Sequence, residues 1–257
     1  MRALELLRHA DLVAAEDTRV TAKLFARYGI KTHLTAYHDH NAERVRPGIL
    51  ARLSAGAAIA LVSDAGTPLI SDPGYKLVRA AHDAGIPVTA LPGASSVLTA
   101  LVLSGLPTDR FLFAGFLDSR GERRRRALAE LRPVPASLVF FESARRIADS
   151  LADMLDQLGD REAAVGRELT KHFEEMRRGR LTVLAAHYRA AGPPKGELVV
   201  VVGPPRDDAA PVDLDGLLRD ALARQSLRDA ADAVATATGR PRREVYARAL
   251  ALARETP

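Results

Sequence analysis

The sequence predicts an α/β fold made of two α/β domains followed by a small helical unit, and three observations predict it. Apolar runs suited to buried parallel strands, Leu12–Ala15, Ala57–Val62 and Val88–Leu91, alternate with amphipathic helical patterns at about 18–28, 43–53 and 75–84. Such alternation marks a doubly wound parallel sheet. A second set of apolar runs opens at Phe111, after the punctuation of Gly105 and Pro107, and three short amphipathic patterns follow a break at Gly203-Pro-Pro-Arg-Asp-Asp208. The domains expected are therefore 1–110, 111–205 and 206–257.

Each further element rests on a local signal. A helix from Ser95 to Leu103 ends before Gly105. In the second domain, strands at Phe111–Gly115 and Ser137–Phe141 flank a charged helix. Later strands are expected at Ala163–Arg167, around Lys171–Met176 and at Glu197–Val202. The terminal helices are expected at Leu214–Ala223, Ser226–Ala237 and Arg242–Ala253. Ser226 with Asp229 approximates a capping box, and Gly239-Arg-Pro241 separates the last two helices. This pattern resembles a helix-turn-helix. A helical cap on the second domain is the other reading, since three-helix packings also occur without nucleic acid.

Composition narrows the function classes. A chain of 257 residues with 47% hydrophobic content can bury one large core or two ordinary ones. Cysteine is absent, which excludes disulfides, thiolate metal sites and thiol nucleophiles. No apolar stretch approaches the roughly 20 residues of a membrane helix, and the N-terminus lacks a signal-peptide pattern, so the chain reads as soluble and cytoplasmic. The net charge of +5 is gathered at Arg123–Arg126, Arg145-Arg146, Arg177-Arg178 with Arg180, and Arg240 with Arg242-Arg243. Any one cluster reads as a solvated helix face; several on one surface would suit an anionic partner such as nucleic acid.

The segment Ser63-Asp-Ala-Gly-Thr-Pro-Leu-Ile-Ser-Asp-Pro-Gly74 carries the strongest local chemistry. It lies between an apolar strand and an amphipathic helix, and its two glycines and two prolines shape a loop whose backbone can approach a ligand closely. Loops at the carboxyl ends of strands are where open α/β sheets bind ligands. It is neither a G-x-G-x-x-G fingerprint nor a phosphate-binding loop with its Lys. A tight βα turn without a ligand is the alternative.

Further segments fall at comparable loop positions: Ala15-Glu-Asp-Thr-Arg19, Tyr37-His-Asp-His-Asn41, Leu91-Pro-Gly-Ala-Ser-Ser96, Gly115-Phe-Leu117, Phe141-Glu-Ser-Ala-Arg-Arg146, Arg167-Glu-Leu-Thr-Lys171 and Lys195-Gly-Glu197. With the 63–74 loop, they resemble the tetrapyrrole methylase superfamily, and within it the branch that methylates a cytidine ribose 2′-hydroxyl of 16S ribosomal RNA. The resemblance runs from residue 2 to about residue 252. It implies S-adenosyl-L-methionine held in a cleft between two α/β domains, a homodimer, and 16S RNA or the small ribosomal subunit as partner. Carried over by motif, Ala65, Gly66, Thr67 and Ile70 line the methionine and adenosine side. Ser95 and Ser96 offer hydroxyls and N–H groups to the ligand carboxylate at a helix N-terminus. Glu142 and Leu169 contact the nucleoside from the second domain.

The family opens with a strand and a Pro-Ile-Gly-Asn loop, whereas this sequence starts inside the helix that follows them, at Met1–Leu7. A misplaced start or a truncation is expected, with a strand edge exposed and cofactor binding weakened. Asp118, where the family has Pro, and Ala42, inserted before Glu43, are smaller departures.

Methyl transfer to a ribose hydroxyl needs in-line placement and a group that takes the proton or stabilises the alkoxide. The candidates are Glu16, Asp17, Asp64, Glu168 and Lys171; Lys171 and Glu168 rank first, and Asp17 is retained with a helix cap as its alternative role. Arg123, Arg124, Arg125, Arg126, Arg145, Arg242 and Arg243 are the RNA-binding candidates. His38 and His40 read as surface or hydrogen-bonding residues rather than metal ligands, and no metal is expected. Rival readings are a porphyrinoid or diphthamide-type methyltransferase of the same superfamily and an inactive RNA-binding relic. The Arg167–Lys171 and Phe141–Arg146 segments and the helical tail favour the ribosomal RNA branch over the porphyrinoid and diphthamide readings, and calorimetry with the cofactor separates the relic.

Overall fold

The computed structural model describes residues 2–205, 214–238 and 241–255. Gly239, Arg240 and residues 206–208 of the expected linker lie outside the described residues. The chain divides into two compact units, Met1–Pro204 and Pro205–Pro257.

The first unit opens with α1 (Arg2–His9), β1 (Leu12–Ala15), α2 (Thr18–Tyr28), β2 (Leu34–Ala36), α3 (Ala42–Ser54), β3 (Ile59–Val62), α4 (Tyr75–Asp83) and α5 (Ser96–Ser104). Its three strands form a parallel sheet in the order β2-β1-β3, with Val13 opposite Leu34 and Ala60. Every residue of the central strand β1 is buried, which explains its uninterrupted apolar run. Helix α2 is capped at one end by Asp17, whose side chain accepts the Arg19 N–H, and ends at Gly29 in the left-handed conformation a C-cap favours.

Two strand expectations are corrected. Val88–Leu91 is not in a strand: residues 86–95 pair with no sheet, and Val88 is exposed. An apolar run becomes a strand only where a neighbour completes its hydrogen bonds, and among the described residues β3 pairs with β1 alone. Conversely, the three-residue β2 was too short for a periodic signal.

The unit continues through β4 (Phe111–Phe116), α6 (Gly121–Leu131), β5 (Ser137–Ser143), α7 (Ile147–Leu158), β6 (Glu162–Arg167), β7 (Glu175–Arg180), α8 (Leu181–Ala191) and β8 (Glu197–Val202). These strands form a mixed sheet in the order β4-β5-β8-β6-β7, in which only the β4–β5 pair is parallel. The strand expected near Lys171–Met176 begins at Glu175 instead, because 168–174 is a turn closed by the Lys171 N–H to the Glu168 carbonyl at 2.9 Å.

Strand β8 reads Glu-Leu-Val-Val-Val-Val because both of its faces are covered. Leu198, Val200 and Val202 join Leu138 and Phe140 against Leu128, Leu151, Met154 and Leu184 on one side. Val199 and Val201 join Val139 against Val97, Ala100 and Leu101 of α5 on the other.

The second unit holds α9 (Leu214–Leu222), α10 (Leu227–Thr238) and α11 (Arg242–Glu255) around Leu218, Ala231, Val234, Val245, Ala249 and Leu252. The Ser226 hydroxyl accepts the Asp229 N–H at 3.2 Å, as its capping position requires.

Candidate functional site

A cavity of about 360 Å³ opens where the loop after β3, the start of α5, the carboxyl ends of β4 and β5, the β6–β7 turn and the start of β8 converge. That is the size of a small-molecule site. It brings together all eight expected ligand-lining residues, Ala65, Gly66, Thr67, Ile70, Ser95, Ser96, Glu142 and Leu169, with Glu168 and Lys171. Asp17 is not among its lining residues.

The 63–74 loop presents main chain to this space. Gly66 has φ +70°, and a Cβ there would meet no protein atom within 4 Å, so the position opens onto free volume. Gly74 is closed in instead: with φ +134°, its Cβ would lie 2.6 Å from Leu61 Cδ2 and 2.9 Å from Leu69 Cδ1. Among the described residues, the non-glycine residues with left-handed backbone are Leu69, Ser71, Glu168 and Thr170. All four sit in the two loops that frame the cavity. Such backbone costs on the order of 1–3 kcal/mol per residue and persists only where the surroundings over-determine it. The Thr67 hydroxyl donates to the Ala94 carbonyl at 3.3 Å, tying this loop to the segment before α5. Ser95 caps α5, its hydroxyl accepting the Leu98 N–H at 3.3 Å, so the free N–H groups of that helix end lie at the cavity.

The opposite wall is ionic. Lys171 Nζ donates to Glu168 Oε1 at 2.9 Å and to Glu197 Oε2 at 3.0 Å, while the Glu197 N–H donates to Glu168 Oε1 at 3.0 Å. That N–H, and then the Lys171 ammonium, hold the Glu168 carboxyl below its ordinary value. The carboxylates of Glu168 and then Glu197 raise Lys171. Lys171 therefore stays protonated and can act as a cation but not as a base, and Glu168 is a weak base. Gly196, with φ +99°, makes the arrangement possible: a Cβ there would press on Glu168 Cγ and lie 2.6 Å from its Cδ.

Several sequence expectations change in detail. Asp17 is spent on capping α2 and on Arg19, which hold its carboxyl down to about 2. Glu142 lines the cavity, but its carboxylate is buried and turned to the α7 side, accepting from the Ser150 hydroxyl at 2.5 Å and the Ser143 N–H at 2.6 Å and pairing with Arg146 at 2.8 Å. Alternation along β5 puts Phe141 and Ser143 on the cavity side and Glu142 behind them.

Arg124 is buried and bound to Asp153 at 2.6 Å, which removes it from any RNA-facing set. Arg123, Arg125 and Arg126 remain largely exposed, with looser partners in Asp118, Asp153 and Glu122. Arg145 and Arg243 are exposed, and Arg242 pairs with Asp232. Sequence reasoning missed Asp72, Phe116, Phe141, Ser143, Gly196 and Glu197 as lining residues. Asp72 lies inside the quoted loop motif, where its acidic type was the available signal. Among the described residues, no His, Asp and Glu grouping could hold a metal ion.

This fold and cavity define a class. The description Tetrapyrrole (Corrin/Porphyrin) Methylases matches residues 1–185, and that of the RsmI C-terminal HTH domain matches 208–253. The chain belongs to the tetrapyrrole methylase family, a family of methyltransferases. It is 53% identical over 254 residues to ribosomal RNA small subunit methyltransferase I of Mesorhizobium japonicum, covering 98% of this chain and 86% of that protein. It is 43% identical to the protein of the same name from Escherichia coli O157:H7, covering 97% and 88%. Among solved structures, diphthine synthase superposes with TM-score 0.59 at 16% identity over 79% of this chain and 83% of that one. Uroporphyrin-III C-methyltransferase of Thermus thermophilus, complexed with S-adenosylhomocysteine, superposes with TM-score 0.52 at 21% identity over 79% and 89%. Both likenesses concern the fold.

Proposed function

We propose that this protein is an S-adenosyl-L-methionine-dependent methyltransferase that modifies a cytidine ribose 2′-hydroxyl in 16S RNA of the small ribosomal subunit. The observation that carries the reading is the near full-length likeness, at 41–53% identity, to proteins named ribosomal RNA small subunit methyltransferase I, spanning both the methylase region and the C-terminal helical domain. A cytoplasmic homodimer and the division into 1–110, 111–205 and 206–257 belong to the same proposal.

The cavity suits the cofactor on its own chemistry. Open volume beside Gly66 admits a group against main chain, apolar walls at Ile70, Phe141 and Leu169 suit an adenosyl moiety, and the α5 N-terminus suits a carboxylate. When bound, the cofactor supplies an electrophilic methyl group. Ala65, Gly66, Thr67 and Ile70 hold one side of it, Ser95 and Ser96 its carboxylate, and Leu169 with the Glu142 main chain the nucleoside. Lys171, fixed by two carboxylates, is placed to stabilise negative charge developing on the acceptor oxygen. Arg123, Arg125, Arg126, Arg145, Arg242 and Arg243 grip phosphates.

The test is mass mapping of ribose methylation in 16S RNA after incubating the protein and methyl donor with undermethylated small subunits. A single new ribose methyl on cytidine is expected. Methylation of a porphyrinoid or of a diphthamide precursor, with none on the RNA, would overturn the reading.

A further inference from the structure

We propose that Phe116 is the stacking platform for the acceptor nucleobase, the ring on which the target cytosine lies while its ribose hydroxyl faces the methyl donor. The inference rests on the ribose-methylation reading above. A nucleotide of an RNA strand reaches a donor held in a cavity only when its base leaves the stack, and an unstacked base is held well by another aromatic face. A base clamped in this way fixes the ribose one glycosidic bond away, which is what in-line methyl transfer needs.

The backbone of β4 is built to aim this ring. Side chains alternate along a regular strand, so Phe113 and residue 115 would share one face and Phe116 would point to the other. Instead the β4–β5 register shifts between Phe113 and Gly115: Phe113 lies opposite Val139, Gly115 opposite Phe140 and Phe116 opposite Phe141. The extra residue is Ala114, and Gly115 takes φ +67°. Such an irregularity re-aims the side chains that follow it. Phe113 and Phe116 therefore both meet Phe141, with ring centroids 4.9 and 5.3 Å away.

Exposure then separates the rings. Phe116 and Phe141 both line the cavity, but Phe141 is partly covered whereas Phe116 is 58% exposed. The inner ring, with an aromatic neighbour on either side, suits the resident cofactor. The outer ring offers its free surface to a group arriving from solvent. Phe173, in the turn after Lys171, is exposed as well, but it is not among the lining residues and packs on His172 at 4.7 Å.

Single-turnover rates over a range of undermethylated small-subunit concentrations, at saturating S-adenosylmethionine, test the assignment. For Phe116→Ala the second-order rate constant should fall about 10- to 100-fold, with cofactor affinity by calorimetry within about threefold of wild type. Phe116→Leu keeps apolar bulk without an aromatic face and should lose nearly as much, whereas Phe116→Trp should recover most of the loss. A leucine variant as fast as wild type, or a loss confined to cofactor affinity, overturns the assignment.

The chain has no Trp, so 5-hydroxytryptophan supplied during expression marks Phe116→Trp at one position and can be excited to the red of the subunit's own tryptophans. Its emission should be quenched by small subunits with S-adenosylhomocysteine, and not by S-adenosylhomocysteine alone. Quenching by S-adenosylhomocysteine alone gives the ring to its adenine, and a change that tracks protein concentration without RNA gives it to a second copy; either overturns the proposal. A wild-type protein that leaves RNA ribose unmethylated defeats the functional reading instead, and is recognised before any variant is made.

Discussion

The two loops that frame the cavity are built by opposite means. Residues 63–74 make their wall from main chain, using glycine, proline and left-handed backbone at Leu69 and Ser71. Residues 168–171 make theirs from charged side chains, with Lys171 between Glu168 and Glu197 and left-handed backbone at Glu168 and Thr170. The first loop is suited to holding a ligand by shape, since backbone groups neither titrate nor swing. The second is suited to stabilising charge, because an ammonium fixed by two carboxylates stays protonated and oriented. On the proposed reading, the first wall mainly holds the ligand and the second supplies fixed charge.

That division can be broken most severely at Gly66. Replacing it with Val fills the open volume beside the main chain and strains φ +70°. Cofactor affinity is expected to drop by about 100-fold or more, close to 2.7 kcal/mol, with the far-UV circular dichroism unchanged. Unchanged affinity by calorimetry would take this loop out of the site.

Lys171→Ala probes the other wall. Single-turnover rates at saturating RNA should fall about 10²-fold, the effect of losing one oriented electrostatic donor, while cofactor affinity stays near that of wild type. A change confined to RNA affinity would recast Lys171 as a phosphate contact, and the walls would no longer differ in role.

The basic helix α6 gives a second contrast, within one helix. Arg124→Gln breaks a buried pair with Asp153 and should lower the unfolding free energy by about 3 kcal/mol. Exchanging Arg123, Arg125 and Arg126 together for Gln should change stability by less than about 1 kcal/mol. Those three instead should flatten the salt dependence of small-subunit binding, because fewer counterions are released. Denaturant titration and affinity at several salt concentrations separate the two outcomes. An unaltered salt slope would make the α6 arginines a solvated face.

Much of the architecture was legible from local pattern. Apolar runs marked β1, β3, β5 and β8, and glycine punctuation marked the end of α5, because burial and backbone conformation act on neighbouring residues. The 63–74 loop was legible for the same reason: its signal is the residues themselves. The ionic wall was less so. Lys171 and Glu168 could be named, but their pairing depends on Glu197 and on the missing Cβ of Gly196, more than twenty residues away in sequence.

By itself, then, the sequence determined the α/β class, the run of most elements, the loops that meet at the cavity and the family. Tertiary structure alone decided which charges are free to act. It turned Glu142 behind its strand, spent Asp17 on a helix cap and Arg124 on Asp153, left Val88–Leu91 outside any strand, and brought Lys171 between Glu168 and Glu197. The physical reason is that apolar periodicity and turn chemistry are properties of adjacent residues, whereas the state of a charged group is set by burial and by partners that only the folded chain brings within hydrogen-bonding distance.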